Sequence, residues 1–92
     1  MRRVLVSAKA FRKDFKRLAR SGRYDLEQLR AVIETLVTDQ PLALPHTDHA
    51  LAGNWIGFRE CHIRPDWLLI YRLEPERLIL VRTGTHAELF SK

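Results

Sequence analysis

The stretch FRECHIRPDWLLIYRLEPERLILVRT, residues 58–83, decides the fold. It contains three runs rich in aliphatic, β-branched and aromatic residues, at 58–63, 67–73 and 78–83, and this composition is typical of β-strands. The segments between the runs have three and four residues, and connections this short require neighbouring strands to be antiparallel. We therefore predict a three-stranded antiparallel sheet in the second half of the chain.

The sequence before this sheet predicts a strand and a basic helix. Residues 2–6 have the pattern of a short strand, and Ser7 is placed to cap the helix that follows. Ser21-Gly22 is expected to end that helix, because glycine tolerates a left-handed cap conformation. Apolar residues recur at helical spacing between these two points, at Phe11, Phe15 and Leu18.

A second helix is predicted to begin at Asp25, with Gln28 three residues later completing a capping box. Two helices joined so closely should form an antiparallel hairpin. Residues 39–57 contain two prolines, two glycines and no sustained period, so we expect a long surface loop. A helical turn is expected from Thr85 to Phe90. The predicted class is α+β, in the order β-α-α-β-β-β, with an antiparallel sheet packed on the N-terminal helical hairpin.

Length and composition restrict the class further. Ninety-two residues suffice for one domain, residues 1–92. The single cysteine, Cys61, excludes an internal disulfide and a cysteine-rich zinc site, which fits a reducing compartment. The longest apolar run, WLLIY at 67–71, is far shorter than a membrane helix, and the apolar segment after Met1 is too brief for a signal peptide. We expect a soluble, cytoplasmic protein.

Positive charge is concentrated at one end of the chain. Residues 1–30 hold ten Lys and Arg against three acidic residues, whereas residues 31–92 hold six against eight. Such a lobe favours a polyanionic partner, either nucleic acid or an acidic protein segment, although the same charges would also serve to solvate a helix. The first predicted helix contributes Lys9, Arg12, Lys13 and Lys16 to this lobe.

Histidine is the default proton-transfer side chain near neutral pH. The run His46-Thr47-Asp48-His49 has side chains that also bind metals, but it lies in a proline-flanked loop rather than on a helix, so we expect no metal. The histidines are therefore candidate acids and bases, and the alternative is that they are ordinary surface residues. The four histidines are His46, His49, His62 and His86.

Side-chain alternation assigns residues of the predicted strands to faces. In the run 58–63, Glu60 and His62 share one face with Phe58, and Cys61 lies on the other face as an expected core residue. Neither periodicity nor composition marks this cysteine as a nucleophile, which would need a neighbouring base.

Two further side chains have competing interpretations. Alternation places Arg82 on the face of Leu78 and Leu80, at the end of the strand, where it could be solvated or could clamp a phosphate. Trp67 opens the middle strand and could be a core aromatic residue or a platform for a base. The residues taken one at a time do not decide between these roles.

Three runs taken together resemble one protein family. They are DHALAGNW at 48–55, HIRPDWLLIY at 62–71 and RTGTHAELF at 82–90. In order, spacing and identity they are similar to the YafQ branch of the RelE/ParE toxin superfamily, over about half the chain. The resemblance implies a RelE/ParE-like fold and an endoribonuclease that cuts messenger RNA in the ribosomal decoding site, inhibits translation and is held inactive by a cognate antitoxin.

The resemblance also implies roles for the residues at matching positions, without a metal or other cofactor. The expected proton-transfer groups are His49 and His86, with Asp66 as a third, and His62 is expected to support or orient them. The basic residues of the first helix would bind ribosomal RNA phosphates. The remaining roles are neutralisation of the scissile phosphate by Arg82 and positioning of bases by Trp67 and Phe90.

RNA carries its own nucleophile, the 2′-hydroxyl, so such an enzyme needs only a base, an acid and a cation for the charge that develops on phosphate. The product should be a 2′,3′-cyclic phosphate or the derived 3′-phosphate, and DNA should resist cleavage. Three alternatives stay open at this point. They are a ParE-like toxin that inhibits DNA gyrase, a plain basic nucleic-acid-binding module, and a decayed toxin that only binds its antitoxin.

Overall fold

The computed structural model describes residues 2–42 and 48–90, which form a five-stranded sheet with three α-helices. The strands are β1 (Val4–Ser7), β2 (His49–Ala50), β3 (Arg59–Arg64), β4 (Trp67–Leu73) and β5 (Arg77–Gly84). The helices are α1 (Lys9–Ser21), α2 (Leu26–Val37) and α3 (His86–Phe90), and a 3-10 turn covers Gly53–Trp55. The α+β class and the predicted order are confirmed, and β2 and the turn lie within the segment predicted as loop.

The strand order in the sheet is β1-β5-β4-β3-β2. Strands β2 to β5 are antiparallel to their neighbours, as the short connections required. Strand β1 instead pairs parallel to β5, with Val4 opposite Arg77, a pairing that was not predicted from the sequence. No short connection joins β1 to β5, and its direction is therefore free to be set by packing.

Two apolar clusters occupy the two faces of the sheet. The larger joins buried residues of α1 and α2, such as Phe11 and Leu29, to the face of β3 to β5 that carries Cys61 and Leu80. The smaller joins Leu68 and Ile70 on β4 to Leu89 of α3, with Trp55, Phe58 and Phe90 packed against them. Burial of apolar surface on both faces fixes the register of β4, since a slip by one residue would exchange its faces.

The helix ends correct two details of the predicted capping. Ser7 is the last residue of β1, and Ala8 occupies the N-cap position of α1 without a side-chain hydrogen bond. Gly22 ends α1 in the left-handed conformation with φ 71°, as predicted. At α2 the Asp25 carboxylate accepts the Glu27 N–H at 3.1 Å, one residue before the position that a capping box would use. Among the described residues, no helix has the length and apolar character needed to cross a membrane.

Candidate active site

Three histidine rings form a row on the face of the sheet that carries the smaller apolar cluster. The ring centroids of His49 and His62 are 6.4 Å apart, and those of His62 and His86 are 5.7 Å apart. Phe90 extends the row, with its ring 6.3 Å from that of His86. The row unites β2, β3 and α3, which are distant in sequence, so the fold brings together four of the residues that the sequence selected.

His49 begins the row and is held by a buried glutamate. Strand β2 pairs with β3 so that His49 lies directly opposite Glu60, and cross-strand partners share a face. The His49 Nε2 and the Glu60 Oε1 are 2.9 Å apart, and only 6% of the Glu60 side chain is exposed. Sequence reasoning placed Glu60 on the histidine face but assigned it no function. The sequence signal for a role of Glu60 was its position two residues from Phe58 and two from His62, which places an acidic side chain on the same face as that histidine.

His86 at the other end of the row pairs with the turn between β3 and β4. Its Nδ1 lies 3.3 Å from the Asp66 Oδ1, and the same oxygen accepts the His86 backbone N–H at 3.3 Å. Both side chains are more than half exposed. Asp66 therefore meets His86 at the first turn of α3, where a carboxylate also fits the N-terminal dipole.

Arg82 reaches this face through a β-bulge. Ile70 is paired with Arg82 and the next residue, Tyr71, is paired with Leu80, so β5 contains one extra residue, Val81. Because cross-strand partners share a face, Arg82 lies on the side of Ile70 and the smaller cluster. The prediction that Arg82 shares a face with Leu78 and Leu80 is wrong, since simple alternation does not allow for the bulge.

The Arg82 guanidinium is held by Asp14 of α1. Arg82 Nε donates to Asp14 Oδ2 at 2.6 Å and Arg82 Nη2 donates to Oδ1 at 3.1 Å, which is a bidentate fork. Burial alone would raise the pKa of the Asp14 carboxyl, but hydrogen bonds from Arg82, the Thr83 N–H and Arg17 outweigh it, so its pKa lies below the ordinary value. The carboxyl is ionised, and the guanidinium is fixed in direction.

A second arginine extends this network to α3. Arg17 Nη1 donates to Asp14 Oδ1 at 3.0 Å, and its Nη2 donates to Glu88 Oε1 at 3.3 Å. The same Glu88 oxygen accepts the Thr85 N–H at 2.9 Å, at the start of the helix that carries His86. A Cβ at Gly84 would lie 2.6 Å from Glu88 Oε1 and 3.1 Å from Arg17 Nη2. Glycine is therefore needed here for close packing against the network, in addition to the predicted change of chain direction.

Trp67 is a core residue. It is 2% exposed, its ring meets that of Tyr24 edge-on at 4.9 Å, and its Nε1–H donates to Thr83 Oγ1 at 3.0 Å. A buried indole has no ring face to offer to a base, so the structure contradicts the base-positioning role expected for Trp67. Phe90 differs, because it is only partly buried, and Trp55 packs edge-on against it at 5.9 Å.

The basic residues predicted on the first helix lie away from the histidine row. The side chains of Lys9, Arg12, Lys13 and Lys16 are exposed. Positions 9, 13 and 16 share one side of α1, opposite the side that packs on the sheet. Because α1 covers the other face of the sheet, these lysines do not line the histidine row. Their expected contact with RNA phosphates stays a prediction.

Cys61 is fully buried in the larger cluster, and burial raises the pKa of its thiol to about 12. The thiolate needed for nucleophilic attack is therefore unavailable, which confirms the assignment of Cys61 to the core. His46 and Thr47, part of the run considered as a metal site, lie outside the described residues. The neighbouring Asp48 accepts the Tyr71 hydroxyl at 2.6 Å and pairs with Arg59 at 3.0 Å.

Comparison with known proteins identifies relatives that match most of the chain. Residues 3–91 match the family described as the bacterial toxin of type II toxin-antitoxin system, YafQ. The mRNA interferase toxin YafQ of Escherichia coli K12 is 42% identical over 81 residues, covering 87% of each chain. A metal-bound toxin from Helicobacter pylori is 44% identical, with a TM-score of 0.89, over 98% of this chain and all of the other.

A further solved structure includes a partner protein. In the E. coli DinJ-YafQ toxin-antitoxin complex, one chain matches with 38% identity and a TM-score of 0.87, over 98% of this chain and 99% of the other. These matches do not favour a ParE-like toxin. They cover nearly the whole chain, well beyond the half in which the sequence motifs lie. The chain belongs to the YafQ family of bacterial toxins of type II toxin-antitoxin systems.

Proposed function

We propose that this toxin is an endoribonuclease that cleaves mRNA in the ribosomal A site and thereby inhibits translation. The observation that carries the proposal is the row of His49, His62 and His86, with Asp66 at one end and Arg82 on the same face. The name of the E. coli relative, mRNA interferase, supports the same reaction. Ribosomes as the target place the action in the cytoplasm.

The reaction begins at the 2′-hydroxyl of the RNA, which attacks the adjacent phosphorus atom. A histidine removes the hydroxyl proton, the phosphorus–O5′ bond breaks, and a second group protonates the leaving oxygen. The products are a 2′,3′-cyclic phosphate and a 5′-hydroxyl, and no metal ion is needed for this step. DNA lacks the nucleophile and is not cut.

The roles that we propose for the histidines start from their pairing. We propose the tautomer of His86 in which Nδ1–H donates to Asp66, so that Nε2 exchanges a proton with RNA. At the other end, the His49 Nε2 is engaged by Glu60, which leaves its Nδ1 for substrate. Asp66 and Glu60 are thus orienting carboxylates, and His62 lies between the two proton-transfer groups. Each such group contributes typically about 10²–10⁴-fold to the rate.

Arg82 supplies the positive charge. Its Nε–H and one N–H of Nη2 are donated to Asp14, which leaves Nη1 and the second N–H of Nη2 to meet the phosphate. A donor that is already oriented stabilises the developing charge on phosphate without reorganisation. Phe90, partly exposed beside His86, is placed to contact a base of the substrate.

The partners follow from the family and from charge. Type II toxins are paired with an antitoxin, and the E. coli relative has been solved with DinJ. We infer a cognate protein antitoxin for this chain, with acidic segments that complement the exposed basic side of α1. When the antitoxin is absent, ribosomal RNA phosphates would bind the basic side chains of Lys9, Arg12, Lys13 and Lys16.

The test is a translation reaction programmed with a defined message, followed by primer extension to locate cuts. Wild-type toxin is expected to give ribosome-dependent cuts, and His86→Ala is expected to lose them at least about 100-fold. Arg77→Ala is the matched control, because Arg77 lies at the far end of β5 and pairs with Glu74. Absence of cuts from wild-type toxin, or equal cutting by His86→Ala, would refute the proposal.

A further inference from the structure

Asp14 is a buried acid on the apolar side of α1 that the proposed reaction does not use directly. Asp14 is 3% exposed. It lies between Phe11 and Leu18 at helical spacing, so all three residues are on the side of α1 that packs on the sheet. A buried carboxylate is costly unless it is fully hydrogen-bonded. An apolar residue would avoid that cost but would leave the donors that meet the carboxylate without an acceptor, so the identity of those donors indicates what the acid does here.

From the part of the chain that the structure describes, the Asp14 carboxylate accepts four hydrogen bonds. Oδ2 accepts Arg82 Nε at 2.6 Å and the Thr83 N–H at 3.1 Å, and Oδ1 accepts Arg82 Nη2 at 3.1 Å and Arg17 Nη1 at 3.0 Å. The Thr83 N–H is available because β1 ends at Ser7, opposite Leu80, and no other strand within residues 2–42 and 48–90 pairs with the last residues of β5 on that side. Asp14 therefore takes the place of a strand at this edge.

Every one of these donors belongs to the proposed active site or leads to it. Arg82 is the cation for the scissile phosphate. Thr83 is three residues before His86, and Arg17 connects through Glu88 to the first turn of α3. One carboxylate thus links the cation and the helix that carries the proton-transfer histidine.

We propose that Asp14 is a positioning residue for RNA cleavage, and this inference rests on the proposed function. It holds two donors of Arg82 so that Nη1 and the second N–H of Nη2 are presented to the phosphate. The negative charge also weakens the field of Arg82, which opposes catalysis. Fixing the direction outweighs that loss, because misplacement of a catalytic group by about 1 Å can cost about 10²-fold in rate.

A double-mutant cycle on programmed ribosomes separates positioning from a purely structural role. Asp14→Asn is expected to lower kcat about 10- to 100-fold with KM changed less than about threefold. Arg82→Ala lowers kcat more, and in that background Asp14→Asn is expected to have a much smaller effect, because only its link through Arg17 to α3 remains. A purely structural residue would instead lower the rate by the same factor in both backgrounds, and that result would overturn the inference.

Two variants keep the test interpretable. Asp25→Asn changes the same residue type at the N-cap of α2 and is expected to leave kcat unchanged. Asp14→Glu keeps the charge but displaces the carboxylate, so it is expected to lower kcat while it retains the helical circular dichroism of the wild type. Wild-type kcat in Asp14→Asn or in Asp14→Glu would overturn the inference alone. Failure of wild-type toxin to cut would overturn the proposed function as well.

Discussion

Arg82 lies opposite Ile70 in the β4–β5 ladder, although regular alternation would place it on the other face, with Leu80. The extra residue, Val81, produces this change. By this pairing Arg82 leaves the strand on the face of the three histidines, and its guanidinium meets Asp14 of α1 at the edge of β5. The bulge also coincides with the end of β1, so that Asp14 can reach the exposed edge of β5.

Replacing Arg82 by lysine keeps the charge but removes the planar fork. A lysine cannot hold both Asp14 oxygens and offer a third donor in a fixed direction. We expect Arg82→Lys to lower kcat about 10- to 100-fold. Single-turnover cleavage on programmed ribosomes measures this, and Arg77→Lys on the same strand should stay within about twofold of wild type. Equal rates for the two variants would contradict the role of the fork.

Two glycine substitutions should differ in their effect on cleavage. Gly84→Ala places a methyl group against the ends of the Glu88 and Arg17 side chains, at a φ of 157° that L residues rarely adopt, so we expect a loss of unfolding free energy together with a loosened α3. Cleavage should fall about tenfold or more, since His86 begins that helix. At Gly22 an added methyl group would meet no other atom, but the backbone φ of 71° is unfavourable for alanine. Gly22→Ala should therefore lower the free energy of unfolding by about 1 kcal/mol without loss of cleavage. The reverse pattern would contradict the assignment.

The indole of Trp67 should contribute to stability through its N–H. Trp67→Phe removes the donor to Thr83 Oγ1 and leaves a smaller ring, so we expect a loss of about 1–3 kcal/mol in the free energy of unfolding. Urea denaturation followed by circular dichroism measures it. Tyr24→Phe is the control, because the ring contact with Trp67 remains and the change should be below about 0.5 kcal/mol. Similar losses in both variants would argue against the hydrogen bond.

The Asp14 cluster should make stability depend on acid pH. The pKa of Asp14 in the folded state lies below its unfolded value of 3.8, so the unfolded state binds more protons as pH falls. The contribution is fully present above pH 3.8 and is lost as pH falls through the folded-state pKa. We expect wild type to exceed Asp14→Asn by about 1–3 kcal/mol at pH 6 and the difference to shrink below about pH 4. A difference independent of pH would contradict this.

The exposed lysines of α1 should bind RNA phosphates and release the counterions bound to them, which makes the binding depend on salt concentration. Removing one lysine that binds a phosphate is expected to reduce the slope of log K against log salt by about 0.7–0.9. Lys13→Ala together with Lys16→Ala should therefore weaken ribosome binding and lower the slope by about 1.4–1.8, with the cleavage rate at saturation unchanged. Titration of binding at several salt concentrations measures this. Arg2→Ala is the control, since Arg2 is already paired with Glu34, and an equal change of slope in that variant would argue against a specific role for α1.

Features that depend on neighbouring residues in the sequence were predicted more accurately than features that depend on distant ones. Strand β4 was predicted with its observed bounds, because a dense apolar run between two short turns has only one arrangement. Strand β2 was missed, since two residues, His49–Ala50, carry no periodic signal. The parallel direction of β1 was not predicted for a different reason, because it depends on a partner some seventy residues away.

The site shows the same division. The histidines could be selected from residue type and family motif, but the bulge at Val81 has no local signal, so Arg82 was assigned to the wrong face. Asp14 could have been noticed in the sequence, because it is an acidic residue at a helical spacing where the other residues, Phe11 and Leu18, are apolar. The burial of Trp67 is set by Tyr24 and Thr83, which meet it only in the folded chain.

The strand order also determines when this toxin can become active. Strand β5 is made last but lies between β1 and β4, so the first strand has no partner until β5 has left the ribosome. Asp14 also has no hydrogen bonds from Arg82 and Thr83 until the same segment has left the ribosome. An enzyme directed at translating ribosomes is thus assembled only after residue 86 has emerged.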